Sequence, residues 1–363
     1  MTGRALLLTP SRGLGGGIER YADTLEWAFA AQSVEYRRVD LRAAGRPAGG
    51  SAWARMAARS RRYLRGGAER SRIVVTHRAL LPLAALLARE RPGCGISVVC
   101  HGSDVWGTGP PARRYLEKRL MRRSSVRVVA VSSFTAGALA DVCPATVLPP
   151  GLSLGWFQEL AGASARAQLA GQTGPPGRVD GRGVHLVTAF RLAQWRDKGL
   201  PQLLGAVAAL GRADVRVTVC GSGEPPPALR QLVRRHPCCT LRPGLTDPEL
   251  ARQFAGADLF VLATRTRRGR CPSGEGFGLV LLEAQVAGTP VIAPAFGGSH
   301  DAYTEHLTGV APADETSESL ARVLGELLRD PARLEQMSKH AAGWARERFA
   351  PERYAALAAA RLL

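Results

Sequence analysis

Two basic and two acidic side chains stand at spacings that suit an anionic, hydroxyl-rich ligand. In FRLAQWRDKGL, Arg191 and Lys198 lie seven residues apart, directly after the apolar run Val184–Ala189. Two fixed cations beside a strand end suit a diphosphate, and each charge-assisted hydrogen bond contributes roughly 1.5–3 kcal/mol. The lysine is informative by type. Only Lys118, Lys198 and Lys339 are lysines among 49 Lys and Arg, so a lysine here marks a place that requires a compact ammonium. In SGEGFGLVLLEAQVAGTPVIAPAFGG, Glu275 and Glu283 are eight apart, Gly276 and Gly278 flank Phe277, and Leu279 to Ala287 has helical spacing. Backbone N–H groups at Gly276–Leu279 would face an anion or hydroxyls. A carboxylate nearby can accept two bonds from a diol. Without a ligand, the same residues read as a surface basic pair, a capping acid and a helix acid. The glycines placed between the two acids argue against that plainer reading.

The elements that must position these residues alternate along the chain. Strand-like runs are Ala5–Leu8, Ile73–Thr76, Ile96–Cys100, Arg127–Val131, Val184–Ala189, Val215–Cys220, Leu259–Leu262 and Pro290–Ala293, with helical patterns between them. This βαβ rhythm predicts parallel sheets covered by helices. The 363-residue chain is long for one core, and GQTGPPGRVDGRG, residues 171–183, has no apolar period and reads as a linker. The expected organisation is an α/β protein of two Rossmann-like domains with parallel sheets facing across a cleft. One domain spans 1–170 and the other 184–345, and a last helix at 346–363 packs back on the first. Sites in such sheets lie outside the carboxyl ends of the strands. The candidate loops are therefore Pro10–Gly17, His101–Asp104, Arg191–Lys198, Gly221–Glu224, Thr264–Phe277 and Ala295–Asp301.

The first of these loops, in RALLLTPSRGLGGGIERYADTLEWAF, raises a dinucleotide fingerprint. The third glycine of that fingerprint would fall on Ile18 counting from Gly13, or on Arg20 counting from Gly15. Only the acidic ribose partner survives, as Asp40. A nicotinamide enzyme is disfavoured on this count.

The bulk properties bound the partners. Residues 1–183 carry 27 Lys and Arg against 12 Asp and Glu, whereas residues 184–363 carry 22 against 18. A basic first half attracts nucleic acid, an anionic membrane or an acidic substrate. Aromatic residues make up 6% of the chain and no interleaved aromatic–basic platform appears, so nucleic-acid binding is not expected. The seven cysteines are odd in number and lack a C-x-x-C, which reads as reduced thiols rather than a disulfide or zinc framework. The longest apolar run, Ala79–Ala88, is too short to span a bilayer. The first strand begins without a preceding signal segment, so a cytoplasmic protein is expected.

Taken together, the motifs resemble the GT-B, retaining, nucleotide-sugar-dependent glycosyltransferases of family 4. The Glu275-x7-Glu283 block with GFG, the following AGTPVIA, GGSHDAYTEHLTG (297–309), FRLAQWRDKG, VCGSGE, FAGADLFVLAT, HGSD and the glycine-rich first loop fall in that family's order. Asp301 stands where a glutamate is more usual, and Pro150 stands where the family has an asparagine. The resemblance implies that Arg191 and Lys198 bind the donor diphosphate and stabilise the departing nucleotide. Glu283 would bond the ribose. Glu275, with Gly276, Phe277, Gly278 and Leu279, would hold the donor hexose, and Gly221 and Gly223 would border base and ribose. His101 would sit near the anomeric region, and Gly15, Gly16 and Gly17 would let backbone approach phosphate and acceptor, with Asp104 on the acceptor side. No D-x-D is present, so metal-independent transfer without a cofactor is expected.

For the donor, the resemblance implies a UDP-linked hexose or N-acetylhexosamine, with GDP-mannose second. For the acceptor it implies a small specialised metabolite such as an aminocyclitol or oligosaccharide antibiotic precursor. The alternatives are a membrane lipid or envelope glycan, with residues 51–65 as a helix lying on an anionic surface, and a non-catalytic nucleotide-sugar-binding protein.

Overall fold

A computed structural model describes residues 4–13, 16–43, 50–66, 71–102, 110–169, 183–267 and 273–363. The chain forms two compact units, one of Met1–Leu154 with Pro351–Leu363 and one of Gly155–Ala350.

The first unit is built on β1 (Arg4–Arg12), β2 (Glu35–Ala43), β3 (Ser71–Val75), β4 (Gly95–Cys100), β5 (Val126–Ala130) and β6 (Thr146–Val147). They form one sheet in the order β2-β1-β3-β4-β5-β6, and every pair is parallel. Its helices include α1 (Gly17–Ala31), α2 (Gly50–Arg65), α3 (Leu81–Glu90), α4 (Pro111–Met121) and α5 (Ser133–Leu139). The central strands are buried on both faces. Leu6, Leu8, Ile73, Val75, Ile96 and Val98 join one core with Met56, Leu81 and Leu120. Leu7, Val74 and Val99 on the other face are equally buried. Such strands read as continuous apolar runs.

The second unit opens with α6 (Leu154–Leu169) and carries β7 (Val184–Ala189), β8 (Val215–Gly221), β9 (Cys239–Pro243), β10 (Leu259–Val261), β11 (Val291–Ile292) and β12 (Gly309–Val310). The order is β12-β11-β10-β7-β8-β9, again parallel throughout. Around it lie α7 (Leu200–Ala209), α8 (Pro227–Arg234), α9 (Asp247–Ala255), α10 (Leu279–Val286), α11 (Ser317–Leu328) and α12 (Pro331–Arg348). A final helix, α13 (Pro351–Leu362), belongs to the first unit.

Two expectations need correction. The boundary between units falls at residue 155, so α6 packs within the second unit rather than with residues 1–153. Its Trp156, Leu160, Ala163 and Ala167 are buried, and Ser164 Oγ fills the space beside Gly288. Helical periodicity shows which face of α6 is apolar, not which sheet it covers. Most of the expected linker, residues 171–182, lies outside the described residues. The expected last helix is also two: α12 ends at Arg348, and Pro351 starts α13 in the first unit. There, Ser97 Oγ donates to the Leu362 carbonyl at 2.7 Å and Arg127 Nη1 to that of Arg361 at 3.0 Å, satisfying carbonyls that a helix end leaves without partners.

Residues 51–65 form most of α2, whose Met56, Ala57, Ser60 and Leu64 are buried in the first unit. Trp53 instead is exposed, beside the exposed Arg55, Arg59, Arg62 and Arg65. Among the described residues, no helix is long and apolar enough to cross a membrane.

The described cysteines are all unpaired as disulfides. Burial pushes the Cys220 thiol up to about 12, and likewise that of Cys239. Both therefore stay protonated and inert near neutrality. A thiol reagent at pH 8 is expected to modify Cys220 and Cys239 only after denaturation; mass-spectrometric mapping of either adduct in the native protein would refute this.

Candidate active site

The loops after β7, β10 and β11 meet in the second unit around one carboxylate. Glu275 Oε2 accepts from Lys198 Nζ at 2.8 Å and from Thr264 Oγ1 at 3.0 Å. Its backbone carbonyl accepts from the Gly298 amide at 2.8 Å. The Lys198 and Glu275 side chains are only 22% and 13% exposed. Water therefore screens the pair only in part.

Local backbone chemistry explains why Lys198 reaches this place. A short 3-10 turn, Leu192–Gln194, follows β7, with Leu192 and Trp195 buried. Gly199 then starts α7 in the left-handed conformation at φ +70°, and a Cβ there would lie 1.8 Å from the Ala263 carbonyl oxygen. Only glycine allows the lysine turn to press against the end of β10. Asp197 fastens the same turn to the next loop, accepting at its carbonyl from the Arg265 amide at 2.8 Å, with Oδ1 in an ion pair 2.5 Å from Arg267 Nη2. Arg268 and Arg270 lie outside the described residues.

Glu283 sits in the second turn of α10 and is buried, with Oε1 accepting from Trp156 Nε1 at 3.0 Å. Gly278, at φ +80°, is the left-handed residue before that helix. Leu279 is half-buried. Phe277 turns its ring into the core, 6.3 Å from that of Phe349, which leaves its backbone, the group expected to face a donor. Gly221 lies against the Phe190 carbonyl, where a Cβ would stand 2.1 Å away, whereas Gly223 is a turn residue at φ +88° with open space around it. Arg191 is exposed at the end of β7.

The other expected residues belong to the first unit. Gly16, at φ 113°, precedes α1 and Gly17 begins it. Gly15 and Asp104 lie outside the described residues. His101 follows β4, with Nε2 2.9 Å from the Thr76 carbonyl oxygen. Asp40 is engaged by protein, accepting from Arg38 Nε at 2.7 Å and from the Thr9 hydroxyl. Arg38 also reaches Glu26 at 2.8 Å and Asp23 at 2.5 Å. Arg38 thus takes the place that a dinucleotide ribose would need beside Asp40.

Trp156 and Thr264 are partners of the two glutamates that sequence reasoning missed. Trp156 is remote in sequence and was assigned to the other unit. Thr264 reads from the sequence only as the first residue of a candidate loop and the last of FAGADLFVLAT, with no role for its hydroxyl. Among the described residues, no group of three or more His, Cys, Asp or Glu side chains is placed to hold a metal ion.

Two parallel six-stranded Rossmann-like units with sites at the strand ends define the GT-B fold. Anabaena HepE, solved in complex with UDP, superposes at a TM-score of 0.73 with 16% identity over 99% of both chains. Sucrose-phosphate synthase from Thermosynechococcus elongatus superposes at 0.76 with 18% identity, over 99% of this chain and 98% of that one. Residues 183–330 match the model for glycosyl transferases group 1, and residues 15–156 match glycosyltransferase family 4. A D-inositol 3-phosphate glycosyltransferase of Pseudarthrobacter chlorophenolicus is 33% identical over 257 residues, covering 65% of this chain and 57% of that one. A GDP-mannose-dependent α-(1-6)-phosphatidylinositol monomannoside mannosyltransferase of Mycobacterium tuberculosis is 31% identical over 280 residues, 73% of this chain and 69% of that one. The chain thus spans between about half and two thirds of the length of such relatives. It belongs to glycosyltransferase family 4, a family of retaining enzymes.

The glycine before α7 yields a test of this geometry. Gly199→Ala is expected to destabilise the second unit by about 2 kcal/mol or more, from the left-handed backbone and the Ala263 contact. Denaturant melts with an unchanged midpoint would contradict the close approach.

Proposed function

We propose that this chain moves a hexose, with retention, from a nucleoside diphosphate sugar to a hydroxyl of a cyclitol-type acceptor. The observation that supports it best is the Lys198–Glu275–Thr264 group at the strand ends of the second unit, with Arg191 exposed at the end of β7. Breaking a glycosyl–phosphate bond builds negative charge on the diphosphate and positive charge on the sugar. Lys198 has three donors and spends one on Glu275, leaving donors for a phosphate oxygen. Together with Arg191 it would stabilise the leaving group more than the bound ground state. The acceptor oxygen bonds to the anomeric carbon on the face the phosphate leaves, and its proton passes to the departing phosphate oxygen.

The buried Glu283, oriented by Trp156, suits a ribose diol. Glu275 and the Gly276–Leu279 backbone suit the hexose, and Gly221 and Gly223 suit the base and ribose. In the first unit, Gly16 and Gly17 suit close backbone approach and His101 the anomeric region. A UDP-linked hexose is the donor proposed first, and GDP-mannose second, since one relative is named as GDP-mannose-dependent. The cyclitol acceptor joins the aminocyclitol expectation to the inositol acceptors in the relatives' names. A specialised-metabolite pathway has no support beyond the sequence itself.

A lipid-linked acceptor is the second reading. It is favoured by exposed Trp53 among Arg55, Arg59, Arg62 and Arg65 on α2, a pattern that suits peripheral contact with anionic headgroups.

The deciding experiment is a mass-spectrometric screen of UDP-glucose, UDP-N-acetylglucosamine and GDP-mannose against inositol, inositol phosphates and aminocyclitols. Product with a cyclitol supports the proposal; consumption of no donor despite tight nucleotide binding would favour a non-catalytic binder. Lys198→Ala is expected to lower kcat about 10–150-fold, the loss of one charge-assisted bond, with the fold retained by circular dichroism. Near-normal transfer would sink the diphosphate assignment. Glu283→Gln is expected to weaken binding of the donor's nucleoside diphosphate about tenfold by calorimetry, and unchanged affinity would remove its ribose role. Co-sedimentation with phosphatidylglycerol vesicles, lost at high salt, would support the lipid reading.

A further inference from the structure

Among the described residues of the second unit, Phe296 is the one Phe, Tyr or Trp left exposed, at 52%. A single exposed phenyl is ordinary on a protein surface. The neighbours of this one set it apart. Ala293, Pro294, Gly298 and Ser299 are buried, and Ala295 and Gly297 are half-buried. The chain after β11 thus dips into the unit on both sides of Phe296 and leaves that residue outside.

The same loop lies against the segment that carries Glu275. Gly297, at φ +114°, presses on it so closely that a Cβ there would stand 2.6 Å from the Glu275 carbonyl oxygen. The Gly298 amide donates to that same oxygen at 2.8 Å. One residue on, Ser299 Oγ would lie 3.3 Å from a Cβ placed on Gly278. Residues 297–299 therefore follow residues 275–278, with Gly297 and Gly298 at one end and Ser299 at the other. Consecutive Cα atoms are about 3.8 Å apart, so Phe296 is a single step from the contact with Glu275. The Glu275 side chain, in turn, is held by Lys198 and Thr264.

A pyranose ring carries hydroxyls on its rim and C–H groups on its faces. A carboxylate and backbone amides satisfy the rim. The C–H face is served by an apolar surface, best by the electron-rich face of an aromatic ring. Small-molecule sites combine these two kinds of group.

We propose that Phe296 is a binding residue for the transferred sugar, its ring lying against the C–H face of the hexose whose hydroxyls Glu275 and the Gly276–Leu279 backbone hold. This rests on the assignment of Glu275 to the hexose.

Full-chain variants are compared by calorimetry, without acceptor, using the donor consumed in the screen and its nucleoside diphosphate. Phe296→Ala is expected to weaken the nucleotide sugar about fivefold or more, while the nucleoside diphosphate stays within about twofold. Phe296→Leu, apolar but without a ring, is expected to match the alanine variant. Phe296→Tyr is expected to stay within about twofold of the unaltered protein for both ligands. Thermal melts are expected to coincide, because an exposed ring adds little to packing. Equal weakening of both ligands, or unchanged affinity for the nucleotide sugar in Phe296→Ala, overturns the inference. So does a leucine variant that binds like the unaltered protein, or a defect confined to acceptor KM. Glu275→Gln separates the two levels. If it leaves the nucleotide sugar's affinity relative to the nucleoside diphosphate unchanged, the assignment of Glu275 fails first. If it lowers that ratio and Phe296→Ala does not, the role of Phe296 alone fails.

Discussion

The candidate site depends on one carboxylate. Glu275 joins three loops that leave the sheet at different strands: Lys198 after β7, Thr264 after β10, and Gly298 after β11. Two of these contacts use the side chain and one uses the backbone carbonyl. A charge-assisted bond of roughly 1.5–3 kcal/mol in a partly dry setting is enough to order the loops before any ligand arrives. Pre-ordered donors cost no reorganisation when charge develops.

Glycine does the complementary work by letting backbones touch. Gly199 admits the Ala263 carbonyl, and Gly221 admits that of Phe190. These two contacts draw the ends of β8 and β10 onto the turns that follow β7, the segment that carries Arg191 and Lys198. A side chain at either position would push the loops apart by more than the length of a hydrogen bond allows.

Legibility in the sequence followed burial. The eight strands read from the sequence are the interior strands β1, β3, β4 and β5 of one sheet and β7, β8, β10 and β11 of the other. The four that went unread, β2, β6, β9 and β12, are the sheet edges. Interior parallel strands are apolar on both faces and stand out as runs. Edge strands such as EYRRVDLRA alternate charge with apolar groups and are short or half exposed. They look like loop from composition alone. Asp40, within β2, was read as a ribose acid for the same reason: its partner Arg38 is two residues away on the strand, but Glu26 and Asp23 come from α1.

The sequence by itself determined the fold class, the order of the strand-end loops and the residues on them, because spacing, glycine placement and continuous apolar runs are local properties of the chain. It determined the family for the same reason, through motifs that keep their order. Only the tertiary structure decided which unit α6 joins, that Trp156 meets Glu283, that Phe277 faces the core, and that Gly151 makes room for the ring of Tyr354 on the last helix. Each of these is a contact between segments far apart in sequence, fixed by which apolar face fits which surface. No local pattern encodes that choice.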